Sequence, residues 1–115
     1  LARANRIVRG DDYRSTVRRG RRSATAHVVV SVVRRVEDDG GPTRFGFIVA
    51  KTVGNAVTRN LMRRRMKAIA HDLLPSAPLG YDVVVRALPA AAQAGWPTLL
   101  GDITRAFARG VEKAA

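Results

Sequence analysis

Apolar residues recur along this chain in two rhythms. Met62, Met66, Ile69 and Leu73 stand at i, i+4, i+7 and i+11, the spacing of a buried stripe on a helix. Gly54 and the N-cap candidate Asn55 open that helix, and Leu74-Pro75 closes it. Leu100, Ile103, Phe107 and Val111 repeat the helical spacing after Pro97, a favoured first helical position. Asp11 to Arg19 reads as a shorter helix, with Asp11 as N-cap, Gly20 as stop, and Tyr13 and Val17 four apart on one side. The other rhythm is alternation. Thr25 to Val36 is dense in valine and reads as a strand. Ala26, Val28, Val30 and Val32 form its apolar face, and Thr25, His27, Val29, Ser31 and Val33 a mixed face that could line an open groove. Glu37-Asp38-Asp39-Gly40-Gly41-Pro42 reads as a turn, and Arg44 to Lys51 as the returning strand of a hairpin. Tyr81 to Leu88 is a third strand, joined through the Met-striped helix and so expected to pair in parallel with the second. Ala90 to Gly95 adds a helical turn.

Together these elements predict one α+β domain over residues 1–115, a two-layer sandwich in the order αββαβα with a small sheet. No internal repeat or second domain is visible. Residues 1–10 carry Arg3, Arg6 and Arg9 with little to bury and read as an extended basic arm, ordered against a partner. Trp96, just before the last helix, is expected to pack as a lid on the core.

Charge changes the picture most at the Met-striped helix. The run 51–67 holds six bases and no acid. Asn60, Arg63, Arg64, Lys67 and His71 fall opposite the apolar stripe, with Arg59 and Arg65 at its flanks. Solvated helix faces usually mix signs, because like charges three and four residues apart repel. An unmixed face points to a polyanion that supplies the counter-charge, and the free amides at the helix start, near Lys51, add a weaker attraction for phosphate. The whole chain agrees: 21 Lys and Arg against 9 Asp and Glu give a formal charge of +12. The basic helix lacks the broad aromatic and aliphatic face of a membrane-surface helix, and no apolar run is long enough to span a bilayer. There is no cysteine, so disulfides and thiolate chemistry are excluded and a reducing cytoplasm is expected. The N-terminus has no apolar signal-peptide core.

Catalytic groups are sparse. His27 and His71 lie on different elements, and Asp82 and Asp102 are single acids with no obvious partner. No zinc-protease, phosphate-loop or nucleophile-elbow pattern occurs. A nuclease acting alone needs clustered carboxylates for Mg²⁺ or paired histidines. The residues therefore describe a nucleic-acid binder without catalytic groups of its own. A ribosomal-type or architectural binder fits the same pattern, and a self-sufficient nuclease requires distant residues to converge.

The run Lys51-Thr52-Val53-Gly54-Asn55-Ala56-Val57-Thr58-Arg59-Asn60-Leu61-Met62-Arg63-Arg64 resembles the signature of the bacterial ribonuclease P protein subunit. Arg3-Ala4-Asn5-Arg6-Ile7 is similar to that family's start, and Asp82-Val83-Val84-Val85-Arg86 to its last strand. The resemblance implies a left-handed crossover at the basic helix, against the usual hand. It implies two RNA partners, the catalytic ribonuclease P RNA and precursor tRNA, whose 5′ leader is removed by Mg²⁺-dependent hydrolysis at an active site supplied by the RNA. Mg²⁺ would be bound mainly by that RNA, with no protein metal site, no catalytic residue in the protein and no stable protein partner. By position, Lys51, Asn55, Arg59, Asn60, Arg63, Arg64 and Lys67 would face the catalytic RNA, and Tyr13, Val17 and Ser31 would line the leader groove. The chain departs from the family where Leu61 replaces a usual arginine and where Val17 and Ser31 replace usual aromatics. Fewer ring platforms imply weaker base stacking, and so less leader sequence preference and more reliance on backbone charge.

Overall fold

The computed structural model describes residues 1–36 and 41–115. The acidic part of the predicted turn, residues 37–40, lies outside the described residues. In chain order the elements are helix α1 (Gly10–Arg19), strands β1 (Arg21–Ala24), β2 (Val28–Arg34) and β3 (Arg44–Ile48), helix α2 (Ala56–Leu73), strand β4 (Tyr81–Ala87) and helix α3 (Trp96–Ala114). Short 3-10 turns sit at Arg3–Asn5, Lys51–Val53, Leu74–Ser76 and Pro89–Gln93. The α+β class holds, with one strand more than the sequence patterning predicts.

The sheet runs β1-β2-β4-β3. β3 and β4 pair in parallel, as the helical crossover requires. The expected hairpin between the valine strand and Arg44–Lys51 does not form. β2 pairs instead with β4, antiparallel from Val28↔Ala87 to Arg34↔Tyr81, and with β1 from Arg21↔Val32 to Ala24↔Val29. The hairpin is β1–β2, closed through residues 25–27. β2 and β4 are the two central strands and the most continuously apolar, so each gains from neighbours on both edges and cover on both faces. β3, with Gly46 at its middle, takes the edge. Ala26, expected on the apolar face, sits exposed in the β1–β2 turn.

One face of the sheet meets α2 and α3. Val28, Val30, Val32, Val83, Val85 and Phe45 from the strands close on Met62, Met66, Ile69, Leu99, Ile103 and Phe107. Phe45 stacks at 6.4 Å on Phe47 and meets Phe107 at 5.5 Å. The α2 stripe is the predicted one, with Ala70 fully buried beside it and Leu73 only partly buried. The α3 seam is rotated from the prediction. Leu99, Ile103, Ala106, Phe107 and Gly110 are buried, while Leu100 and Val111 pack at the margin. Gly110 sets that rotation, because a Cβ there would lie 2.5 Å from Val32 Cγ2. Trp96 is not the expected lid; it is 38% exposed and outside the core cluster.

The N-terminal residues are not a free arm. Ile7 is buried, its N–H donates to the Phe45 carbonyl at 2.9 Å, and Asn5 Nδ2 donates to the Thr43 carbonyl at 3.0 Å. Arg3, Arg6 and Arg9 stay exposed. α1 starts one residue before the expected cap: Arg9 occupies the N-cap position without a side-chain bond, and Asp11 and Asp12 fall in the first turn, where the helix dipole favours acids.

The two acids without obvious partners both have them. Asp82, 6% exposed, accepts from Arg44 Nε at 2.8 Å and Arg44 Nη2 at 2.7 Å, and from Arg35 Nη1 at 2.7 Å. Asp102 Oδ2 lies 2.7 Å from His27 Nδ1 and accepts from the Thr25 hydroxyl at 2.8 Å, while Oδ1 accepts from Arg105 Nη2 at 2.7 Å. These bonds tie the β1–β2 turn to α3. They hold the Asp102 carboxyl below the usual carboxylate range: the His27 hydrogen bond acts most, the Thr25 hydroxyl and the Arg105 charge assist, and burial opposes. A carboxyl depressed on folding contributes stability that is complete above its unfolded value of about 3.9 and disappears as pH falls through the folded value. Asp102→Asn is therefore expected to lower the denaturant midpoint at neutral pH. The difference from wild type should shrink on acidification below about pH 4, and a constant difference across that range would refute the assignment.

Candidate nucleic-acid interface

α2 places its charges by having its stripe claimed. With Met62, Met66, Ile69 and Ala70 buried against the sheet, 100° per residue sends Asn60, Arg64, Lys67 and His71 outward. All four are exposed, and Arg63 and Arg59 are half-buried at one flank. The Asn55 side chain caps the helix as predicted, accepting from the Thr58 N–H at 2.9 Å. Gly54 leaves room for that cap, since a Cβ there would lie 2.9 Å from Thr58 Cγ2. Lys51 is exposed in the preceding 3-10 turn.

The electrostatics of this face are one-sided. Among the described residues, none of Lys51, Arg59, Arg63, Arg64, Arg65 and Lys67 pairs with a carboxylate. Arg63 reaches only neutral acceptors, Asn60 Oδ1 at 3.3 Å and the Val49 carbonyl at 3.4 Å. The first acid of the helix is Asp72, 3.7 Å from the exposed His71. Elsewhere four arginines find carboxylates among the described residues: Arg14 pairs with Asp11, Arg35 and Arg44 with Asp82, and Arg105 with Asp102. The ridge of α2 is thus a concentrated positive field, not a solvated face of mixed sign.

The second surface is the other face of the sheet. α1 crosses part of it. Tyr13 lies over Gly46, where a Cβ would fall 2.5 Å from the ring, and its hydroxyl accepts from the Phe47 N–H at 3.2 Å. Tyr13, Val17 and Ile48 with Arg14, Arg18 and Arg22 line an open cavity of about 450 Å³. The structure therefore brings Tyr13 and Val17 together in one groove. Ser31 is elsewhere: it is 4% exposed beside Gly20, at the end of α1, and does not line that cavity.

Strand register adds a residue that the sequence patterning did not single out as a contact. Ala24, Val29, Arg86 and Ile48 stand side by side across all four strands on this face. Arg86 is exposed at the middle of that row and pairs with no carboxylate of the described residues. The alternation Asp82, Val84, Arg86 carried the signal, but only the pairing of β4 between β2 and β3 shows that this arginine stands at the sheet's centre.

Comparison with known proteins gives the family. The Ribonuclease P family model matches residues 1–110. The chain belongs to the ribonuclease P protein family. The ribonuclease P protein component of Clavibacter michiganensis is 51% identical over 111 residues, covering 96% of each chain. That of Arthrobacter sp. is 45% identical over 93% of this chain and 77% of its own. The ribonuclease P protein of Staphylococcus aureus superposes with a TM-score of 0.80 at 25% identity, covering 92% of this chain and 94% of that one. The protein from Thermotoga maritima shares the fold, with a TM-score of 0.75 at 20% identity over 87% and 92% of the two chains. The ribonuclease P family thus accounts for the α+β fold read from the sequence and for the signature run at the start of α2.

Among the described residues, no helix is long and apolar enough to cross a membrane, and no group of three or more His, Asp and Glu side chains could hold a metal ion. The acids with the least exposure do not suit one either, because the oxygens of Asp82 and Asp102 already accept from guanidinium, hydroxyl and imidazole groups.

Proposed function

We propose that this protein is the RNA-positioning subunit of a ribonuclease P ribonucleoprotein, which removes the 5′ leader of precursor tRNA in the cytoplasm. The observation that carries the reading is the outward ridge of α2, whose bases have no carboxylate partner among the described residues. In this reading Lys51, Arg59, Arg63, Arg64 and Lys67 neutralise phosphates of the catalytic RNA, with Asn55 and Asn60 hydrogen-bonding beside them. The groove at Tyr13 and Val17 takes the single-stranded leader. Its floor is one ring and two aliphatic side chains, and its rim is arginine, which supports backbone charge over base stacking as the source of leader affinity. Arg86, exposed on the sheet and paired in register with Ile48, adds a cation next to that groove. The lack of cysteine fits a reducing compartment.

Catalysis belongs to the RNA in this reading, and Mg²⁺ with it. The protein lowers repulsion between two polyanions and fixes their relative placement. The test is to combine the protein, the catalytic RNA and precursor tRNA at low Mg²⁺, singly and together. Leader removal is expected only when protein and catalytic RNA are both present. Cleavage by the protein alone would make it a nuclease in its own right. Binding with no gain in cleavage would make it a structural RNA binder.

A further inference from the structure

The basic ridge of α2 has an apolar neighbour. Val57 and Leu61 stand one helical turn apart and are 78% and 37% exposed. Exposed Ala68 continues their line, and at 100° per residue all three point between Arg64 and Arg65. None of them belongs to the core cluster or packs at its margin, and the adjacent Met62 is 1% exposed and already fills the core position. The strip is therefore not displaced core. It is aliphatic surface set beside a basic ridge, and its exposure to water costs free energy that a covering partner would recover.

Whatever covers Arg64 must also approach Leu61, so one partner has to satisfy both. A partner offering only phosphates would leave the strip wet. RNA offers phosphates together with ribose C–H edges and the faces of unstacked bases. We propose that Val57 and Leu61 make an apolar contact with a ribose or an unstacked base of the catalytic RNA, adding salt-independent affinity beside the charged contacts. The inference rests on the ribonuclease P reading above. It assigns a role to the position where the family usually carries arginine: a salt-dependent contact has been exchanged for one that ionic strength does not screen.

The experiment is equilibrium titration of the catalytic RNA over a series of KCl concentrations. Val57→Gln with Leu61→Gln is expected to weaken binding about five- to twentyfold at every salt concentration, with an unchanged log–log slope. Arg64→Ala should instead reduce the slope by about one. Leu61→Arg should steepen the slope and bind more weakly than wild type at high salt. A double variant that binds like wild type would overturn the proposal, as would Leu61→Arg binding more tightly at all salt concentrations. Sedimentation of the protein alone supplies the other outcome. A dimer that the double variant abolishes, with RNA affinity intact, would assign the strip to a second copy of the chain and overturn it too. Failure of the ribonuclease P reading is distinct, because the wild type itself would then either not bind the catalytic RNA or bind it without raising its cleavage of precursor tRNA.

Discussion

Replacing Arg63, Arg64 and Lys67 together by alanine is expected to weaken binding of the catalytic RNA about 10²-fold near physiological salt and to flatten its salt dependence by roughly 2.7 log–log units. The physical basis is counterion release. Each phosphate neutralised by a fixed cation frees condensed ions, and each such contact contributes about 0.9 to the slope on a duplex. The three side chains qualify because none is engaged by a carboxylate of the described residues, so no internal pair must break before RNA is met. Arg63 adds a structural advantage, since its bonds to Asn60 and the Val49 carbonyl orient the guanidinium before binding. The fold should survive, because the α2 stripe is untouched and alanine is the best helix former. Arg109→Ala, exposed on the separate helix α3, is the control and should change the slope little. Equal slopes in the triple variant and wild type would remove α2 from the RNA interface.

Much of that site was legible in the sequence because a helix ties residue spacing to direction. Once Met62, Met66 and Ile69 are assigned to the core, the bearings of Asn60, Arg64 and Lys67 follow. The strands gave less, because a run such as Val28 to Val33 records which residues alternate but not which strand lies alongside. Local reasoning joined the valine strand to its successor, whereas the sheet inserts β4 between them. β1 escaped notice for a related reason. Its Arg21, Arg22 and Ala24 are exposed and only Ser23 is buried, so it carries no apolar alternation and exists by pairing with β2. The same long-range pairing placed Arg86 beside Ile48 and buried Ser31 near the end of α1. Asp82 looked solitary because Arg44 and Arg35 are 38 and 47 residues away in the chain, and no local pattern encodes such a meeting. Asp102 meets Thr25 and His27 from 77 and 75 residues away, whereas its third partner, Arg105, stands at i+3 and was a local pair that the patterning passed over.

Asp82 is where that long-range chemistry should matter most for stability. Asp82→Ala is expected to destabilise the fold by about 3 kcal/mol. The carboxylate sits at the start of β4, 6% exposed, and takes both arms of Arg44 and one of Arg35. Arg35 also donates to the Tyr81 carbonyl at 2.8 Å and the Pro42 carbonyl at 2.5 Å, so it ties β4 to the segment entering β3. Arg44 reaches Asp12 at 3.7 Å, which brings α1 into the same cluster. Removing the acid takes a shared buried acceptor from two cations, and truncating one partner of a buried, hydrogen-bonded ion pair costs more than the pair itself is worth. Arg44 retains 27% of its side-chain exposure, so water relieves part of that cost and the lower end of the usual 3–5 kcal/mol range applies. Asp82→Asn, which keeps the shape and one acceptor, should cost less. Because Asp12, Arg44 and Asp82 also border the open sheet face, the loss should loosen α1 and with it the groove at Tyr13. The expected signature is a lowered denaturant midpoint together with weaker binding of long-leader precursor, while affinity for the catalytic RNA through α2 is retained at temperatures where the variant remains folded. An unfolding free energy within about 0.5 kcal/mol of wild type, the usual spread of substitutions at ordinary surface positions, would show that the cluster is a surface pair and not the clasp between α1, β3 and β4.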